Sequence, residues 1–366
     1  MDYSSRLAGI RRSMAARALD AMLVSQPENR RYLSGYSAAD HGIAESSGLL
    51  LIVRSGSTYL LTDFRFRQQA EAETEGLTIL VYAKGIFALL KTLLPELGIG
   101  RLGFESSYTL HSTAQRLFDL GRLADIDMIP LKGIVEKMRL VKSEEEIQHI
   151  RRSVLLNEQV FQKAFKMLPR METEIDMALE IAAEMRRQGG ERESFETIVA
   201  AGPASSLPHA VPGRREIEPN TPVVVDMGLV LDGYCSDMTR SFCHGKPDDR
   251  YLEIHRLVRR AQLAGIRAVR AGARASDVDK AARSIIAEAG YGKNFGHALG
   301  HGVGMAVHEE PRISPKSRKK LRSGMVITIE PGIYIPGWGG IRLEDMVVVR
   351  EDGCENINTD TTWLDK

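Results

Sequence analysis

Cysteine is scarce in this sequence, with three in 366 residues: Cys235, Cys243 and Cys354. An odd number without CxxC spacing argues against a disulfide framework, and a reducing, cytoplasmic setting is the default expectation. Excess charge is lacking as well, because 49 basic residues stand against 48 acidic ones. Neither a basic tail for nucleic acid nor an acidic solvating segment is visible, and a small neutral substrate is the better expectation. Long apolar runs are also missing. The longest strand-like one, Leu49–Val53, is far too short to span a bilayer. The opening MDYSSRLAGIRRSMAARAL places arginines among its apolar residues at helical spacing and lacks the apolar core of a secretory signal. Neither nucleic acid nor membrane is expected as a partner. Short repeats and low-complexity stretches are absent too.

The length suits two domains, each able to bury a core. The texture changes near 130–142. Before it, helix-like Leu7, Ile10 and Met14 precede strand-like Ala21–Val24, and Leu49–Val53 and Thr58–Thr62 flank the hairpin signal Arg54-Ser55-Gly56-Ser57. Residues 1–130 read as a compact α/β domain with a mixed sheet, 131–142 as a linker and 143–366 as a second domain. There Ser143 and Glu146 form a capping box before the helical face of Ile147, Ile150, Val154, Phe161 and Phe165. Thr173 with Asp176 opens another helix ending near Gly189, and 249–270 and 276–289 read as two more. Strands are expected at 198–200, 223–225, Val326–Ile329 and 346–349. The second domain is therefore α+β, with helices on one face of a curved sheet.

Chemistry shows where acids interrupt apolar strands. Asp226 follows Val223-Val224-Val225, Glu330 follows Val326–Ile329, and Glu344 falls inside Ile341-Arg342-Leu343-Glu344-Asp345-Met346-Val347. Buried carboxylates cost several kcal/mol unless they are paired, protonated or bound to metal. The plain alternative is strand-end acids facing water. Asp237 comes eleven positions after Asp226. Of nine histidines, three fall in FGHALGHGVGMAVHEEPR: His297, His301 and His308. Gly296, Gly300, Gly302 and Gly304 make a regular helix there unfavourable, so a loop or strand that brings imidazoles close to something is expected. The segment lacks the strand-turn-helix context of a dinucleotide fingerprint.

DMGLVLDGYCSDMTR from Asp226, GHGVGMAVHE from Gly300, TIEPGIY from Thr328 and GIRLEDMVVV from Gly340 resemble, in that order, the four blocks of the pita-bread metallopeptidases. The whole chain, including PENRRYLSGY, resembles the creatinase, prolidase and aminopeptidase P type: a creatinase-like α/β domain before a pita-bread catalytic domain. The resemblance implies a metal-dependent Xaa-Pro peptidase with Asp226, Asp237, His301, Glu330 and Glu344 as ligands of two divalent ions. Four carboxylates and one imidazole suit Mn²⁺ first, with Co²⁺ or Zn²⁺ possible. In the family arrangement Asp226 chelates one ion, His301 and Glu330 the other, and Asp237 and Glu344 bridge. Glu330 also handles the proton of the attacking water.

His209 in SSLPHAVPG, His297 and His308 match the family's substrate-side histidines, able to donate to a developing oxyanion. No motif claims His41, His111, His149, His244 or His255. Arg312 and Arg342 are candidate substrate-binding arginines. The first is placed to grip the C-terminal carboxylate of a dipeptide or else belongs to a solvated basic loop. The second is either a partner for a bridging carboxylate or a surface salt bridge. Short proline-containing peptides are the implied partners, and a homodimer the implied assembly. A creatinase-like amidinohydrolase and a non-catalytic pita-bread binding protein are the competing readings, both disfavoured by a complete ligand set.

Overall fold

The structure, a computed structural model, describes residues 1–167, 171–362 and 364. Its contacts divide the chain into Met1–Arg139 and Leu140–Lys366. In the first unit the order is α1 (Tyr3–Ala15), β1 (Ala21–Val24), α2 (Pro27–Ser34), β2 (Leu49–Val53), β3 (Thr58–Thr62), α3 (Arg67–Glu73), β4 (Thr78–Val81), α4 (Ile86–Glu96), β5 (Arg101–Glu105), α5 (His111–Ala124), β6 (Asp127–Leu131) and α6 (Glu136–Arg139). The strands form one mixed sheet in the order β4-β3-β2-β1-β5-β6, antiparallel across β1–β2–β3 and parallel elsewhere. Leu51, Leu61, Leu90, Leu94, Leu102 and Phe104 form its apolar core with α4 and α5. Residues 131–139, read from the sequence as linker, pack with this unit. Strand β6 pairs β5 as far as Leu131, and the buried Arg139 guanidinium donates to Asn29 Oδ1 at 2.7 Å.

The second unit contains α7 (Glu144–Met167), α8 (Glu174–Arg187), β7 (Arg192–Glu193), β8 (Ile198–Ala201), β9 (Thr221–Met227), β10 (Leu229–Leu231), β11 (Tyr234–Cys235), β12 (Met238–His244), α9 (Asp249–Ala268), α10 (Ala275–Glu288), β13 (Gly300–Gly302), β14 (Glu309–Ile313), β15 (Val326–Ile329), β16 (Gly332–Ile335), β17 (Gly339–Arg342), β18 (Asp345–Arg350) and β19 (Gly353–Asn356). Both capping boxes form. Glu146 N–H donates to Ser143 Oγ at 3.2 Å while Ser143 N–H donates to Glu146 Oε2 at 2.9 Å, and Thr173 and Asp176 do the same for α8. Helices α7 and α8 bury Phe161, Ile181 and Met185 against β8 and β9, while α9 and α10 bury Leu257, Val258 and Val278 against β15, β17 and β18.

The strands do not make the one curved sheet expected from the sequence. Among the described residues they divide into sheets ordered β12-β9-β8, β11-β10-β7, β14-β13-β15-β18-β19 and β16-β17. The ladders stop where site residues and glycines stand. Pro331, without an N–H to donate, separates β15 from β16, and the β13–β14 register shifts between Gly300 and Gly302. Arg240 joins two of these sheets. Fully buried on β12, it donates to the Glu344 carbonyl at 2.6 Å and to Asp345 Oδ1 at 3.0 Å. No helix among the described residues is long and apolar enough to cross a membrane.

Candidate metal centre

Strand pairing brings the acids together. Asp226 lies within β9, opposite Thr239 of β12, and Asp237 immediately precedes β12, so the β9–β12 pairing brings the two carboxylates together. In the β15–β18 ladder Ile329 pairs with Asp345, which leaves Glu330 and Glu344 one step beyond the last pair. Glu344 therefore stands in the gap between β17 and β18, not inside a continuous strand. Its N–H donates to the Thr239 carbonyl at 3.1 Å, and Thr239 Oγ1 donates to its Oε2 at 2.7 Å. His301 enters from β13, held by its own N–H on Thr328 Oγ1 at 3.1 Å. Glycines on both sides are required by close approach: a Cβ on Gly300 would collide with the Thr328 carbonyl, and one on Gly302 with the Glu310 carbonyl.

Ligand atoms of Asp237, His301 and Glu344 lie within 4.8 Å of one another. His301 Nε2 is 3.5 Å from Asp237 Oδ2 and 3.4 Å from Glu330 Oε1. Burial, with His308 adding, lowers the His301 pKa to about 4, so the ring is neutral near pH 7. Its Nδ1 faces the Gly302 carbonyl at 3.1 Å, which can only accept, so we assign the hydrogen to Nδ1 and a bare lone pair to Nε2. That lone pair points at carboxylate oxygens. Burial raises Asp237 and Glu344 well above the usual carboxylate range, and their acidic neighbours raise them further. Burial pushes Glu330 up to about 8 against the opposing pull of Arg342, with Asp226 adding. Asp226 Oδ1 and Glu344 Oε1 are buried without a hydrogen-bond partner. Facing lone pairs, crowded carboxylates and orphaned oxygens are what divalent cations in their midst would satisfy, so the residues fit the expected metal.

The surrounding groups differ in how they are held. Arg342 is buried, its exposure 3 %. It donates to Asp226 Oδ2 at 2.7 Å, Tyr334 Oη at 2.8 Å, Thr239 Oγ1 at 3.1 Å and the Pro208 carbonyl at 3.1 Å. All these acceptors belong to the protein, which makes it a carboxylate partner rather than a surface salt bridge or a free hand for substrate. His297 also departs from the sequence expectation of a substrate-side donor. Nδ1 meets the Ala298 carbonyl at 2.7 Å and Nε2 the Tyr334 hydroxyl at 2.9 Å, so both ring nitrogens are taken. Burial, with Arg342 adding, lowers its pKa to about 4.

His308 and His209 are exposed. The His308 ring packs edge-on to His301 at 4.4 Å, and its turn is fixed by Glu309, which accepts from Ala306 N–H at 3.0 Å and pairs with the buried Lys142 at 3.2 Å. His209 follows Pro208, whose carbonyl accepts from Arg342. Arg312, exposed on β14, is close enough to contribute to the lowering at His301. Tyr334 and Thr239 are participants that the sequence reading missed. Thr239 had a signal, two positions after Asp237 on an alternating strand. Tyr334 had none that separates it from a core aromatic.

Residues 148–351 match Metallopeptidase family M24 and residues 6–141 the Creatinase/Prolidase N-terminal domain. The chain is 33% identical to an Xaa-Pro dipeptidase of Pyrococcus horikoshii over 346 residues, 94% of each chain. Among solved structures, an Xaa-Pro dipeptidase from Bacillus anthracis superposes with TM-score 0.89 at 34% identity, covering 98% of both chains. An X-Pro aminopeptidase from Thermotoga maritima gives 0.86 at 34%, covering 95% of this chain and 98% of the other. The chain thus belongs to metallopeptidase family M24, with a creatinase/prolidase N-terminal domain and the pita-bread fold, and it is a metal-dependent hydrolase.

Proposed function

We propose that this hydrolase cleaves the bond before proline in Xaa-Pro dipeptides and short peptides. The observation that carries the reading is the meeting of Asp237, Glu330 and Glu344 around the bare Nε2 of His301, with Asp226 close enough to raise all three carboxyls. The Xaa-Pro names of its relatives support the substrate class. These five residues would hold two divalent ions, Mn²⁺ first, which when bound supply an acidified water and positive charge for the scissile carbonyl oxygen. Asp237 and Glu344 would serve both ions, Asp226 one, and His301 with Glu330 the other.

The chain's own groups do the rest. Glu330 takes the proton of the attacking water and holds it for the leaving proline nitrogen. Arg342 fixes the Asp226 carboxylate, and through Tyr334 it is tied to His297. His209 and His308, at the exposed rim, offer N–H donors to the carbonyl oxygen as it gains charge. A bond before proline has no N–H, so a site that activates water and grips the ring needs no hydrogen bond there. A homodimer in a reducing cytoplasm is the proposed setting. It is supported by the family resemblance and by an odd number of cysteines, three, without CxxC spacing. Sedimentation velocity checks the dimer.

The test is a hydrolysis panel of Xaa-Pro dipeptides, longer Xaa-Pro peptides and proline-free controls after Mn²⁺ loading. Cleavage confined to the proline substrates, abolished by chelation and restored by Mn²⁺ or Co²⁺, is the expected result. Equal rates on the controls would overturn the specificity, and unchanged activity after chelation the metal mechanism. Substrate length is carried by Arg312. Arg312→Ala is expected to raise KM for Xaa-Pro dipeptides and spare Xaa-Pro tripeptide amides, which have no carboxylate at that place. Equal effects on both would show that Arg312 does not set length.

A further inference from the structure

Helix α10 carries Asp279 and Arg283 four positions apart, so both side chains lie on one face. Asp279 is buried, and Arg283 pairs with it through two bonds of 2.7 Å, Nε to Oδ2 and Nη2 to Oδ1. The same guanidinium reaches the loop before β13. Its Nη1 donates to the Phe295 carbonyl and its Nη2 to the His297 carbonyl, both at 2.8 Å. Its Cζ lies 4.0 Å from the Phe295 ring centre, and that ring meets the His297 imidazole edge-on at 5.0 Å. On the far side of His297, Leu299 N–H donates to Asp279 Oδ1 at 3.2 Å. The loop is therefore held before, at and after His297 by one ion pair on a helix. No step of the hydrolysis uses this pair.

We propose that Asp279 and Arg283 are a positioning pair for His297: they fix the backbone around it so that the imidazole meets Tyr334. This rests on the reading of His297 and Tyr334 as parts of the peptidase site. The guanidinium is needed because one planar fork meets a carboxylate and two carbonyls at once, and an ammonium on a flexible stem cannot. Misplacement of a site group by about 1 Å costs on the order of a hundredfold, so a loss of ten- to a hundredfold in kcat is expected for Arg283→Met, with smaller change in KM.

The experiment is a double-mutant cycle on the Mn²⁺-loaded enzyme with Arg283→Met, His297→Ala and the pair, reading kcat, KM and metal content. Arg283→Lys is carried through the same cycle, so that a folded variant with the charge retained is available. The expected result is a loss of kcat in each single variant at near-complete metal content, with little rescue by lysine. In the His297→Ala background the Arg283 change should cost less than about threefold, because coupled residues are non-additive. Equal cost in both backgrounds, or metal lost in step with kcat, would overturn the positioning role and leave the peptidase reading intact. If His297→Ala alone keeps full activity, the reading of His297 falls and this proposal with it.

Discussion

Glu330→Gln is expected to lower kcat by about 10²–10⁴-fold, the usual worth of a positioned proton carrier, with KM little changed. The substitution is nearly isosteric. Glu330 is anchored by its own N–H on the Leu299 carbonyl at 2.8 Å and accepts from Thr328 Oγ1 at 3.3 Å, contacts that an amide oxygen also allows. Glutamine keeps an oxygen able to face a cation but has no basic site to take a proton. The readout is kcat beside metal content in the same sample, and kcat should fall at least about tenfold more than metal occupancy. A variant with metal retained and kcat within about threefold of the parent would remove Glu330 as the base. Metal and activity lost in equal proportion would leave it as a ligand alone.

The reach of the sequence depended on the distance over which each feature is encoded. Ser143 with Glu146 and Thr173 with Asp176 act across three residues, and both capping boxes form as read. The hairpin of β2 and β3 is likewise local. The meeting of the acids was approachable because Asp226, Glu330 and Glu344 each mark an apolar strand. The β9–β12 and β15–β18 registers, which bring them face to face, skip the short strands that lie between them in the chain, so no tight-turn signal marks the pairing. Glu344 shows the limit. Its flanking apolar residues read as one strand, yet the chain leaves the ladder there and turns the carboxylate inward. His297 shows another: the family resemblance marked it as a substrate-side donor, but its partners are Ala298, its neighbour, and Tyr334, 37 positions away. The clamp on α10 was invisible for the same reason, since an Asp and an Arg four apart are an ordinary exposed pair until the loop arrives.

Asp237→Asn should separate stability from activity, because the same crowding that suits cations is unfavourable without them. Asp237 is buried, and burial together with Glu344, Asp226 and Glu330 raises its pKa well above the ordinary value. Removing one of these charges relieves repulsion, so in chelator the variant is expected to melt higher than the parent. Added Mn²⁺ should reverse the order. Each ion at a hundredfold excess over its Kd stabilises by about 2.7 kcal/mol, roughly 5–11 °C in Tm for a domain of this size, and Asp237→Asn should lose most of that gain and nearly all hydrolysis. Metal counting should show both ions disturbed, whereas Asp226→Asn should lose mainly one. The pH dependence follows the same sign. A carboxyl whose folded pKa is raised contributes stability that is full below its unfolded value and lost as pH rises through the folded one. For Glu330 that window runs from 4.5 to about 8. Parent protein in chelator should therefore lose Tm across this range, Asp237→Asn should lose less, and the gain on adding Mn²⁺ should grow with pH as the ions displace the protons. Thermal melts of both proteins at matched pH decide it: a parent Tm that rises with pH in chelator, or a variant no more stable than the parent there, would mean that the four acids do not crowd one another.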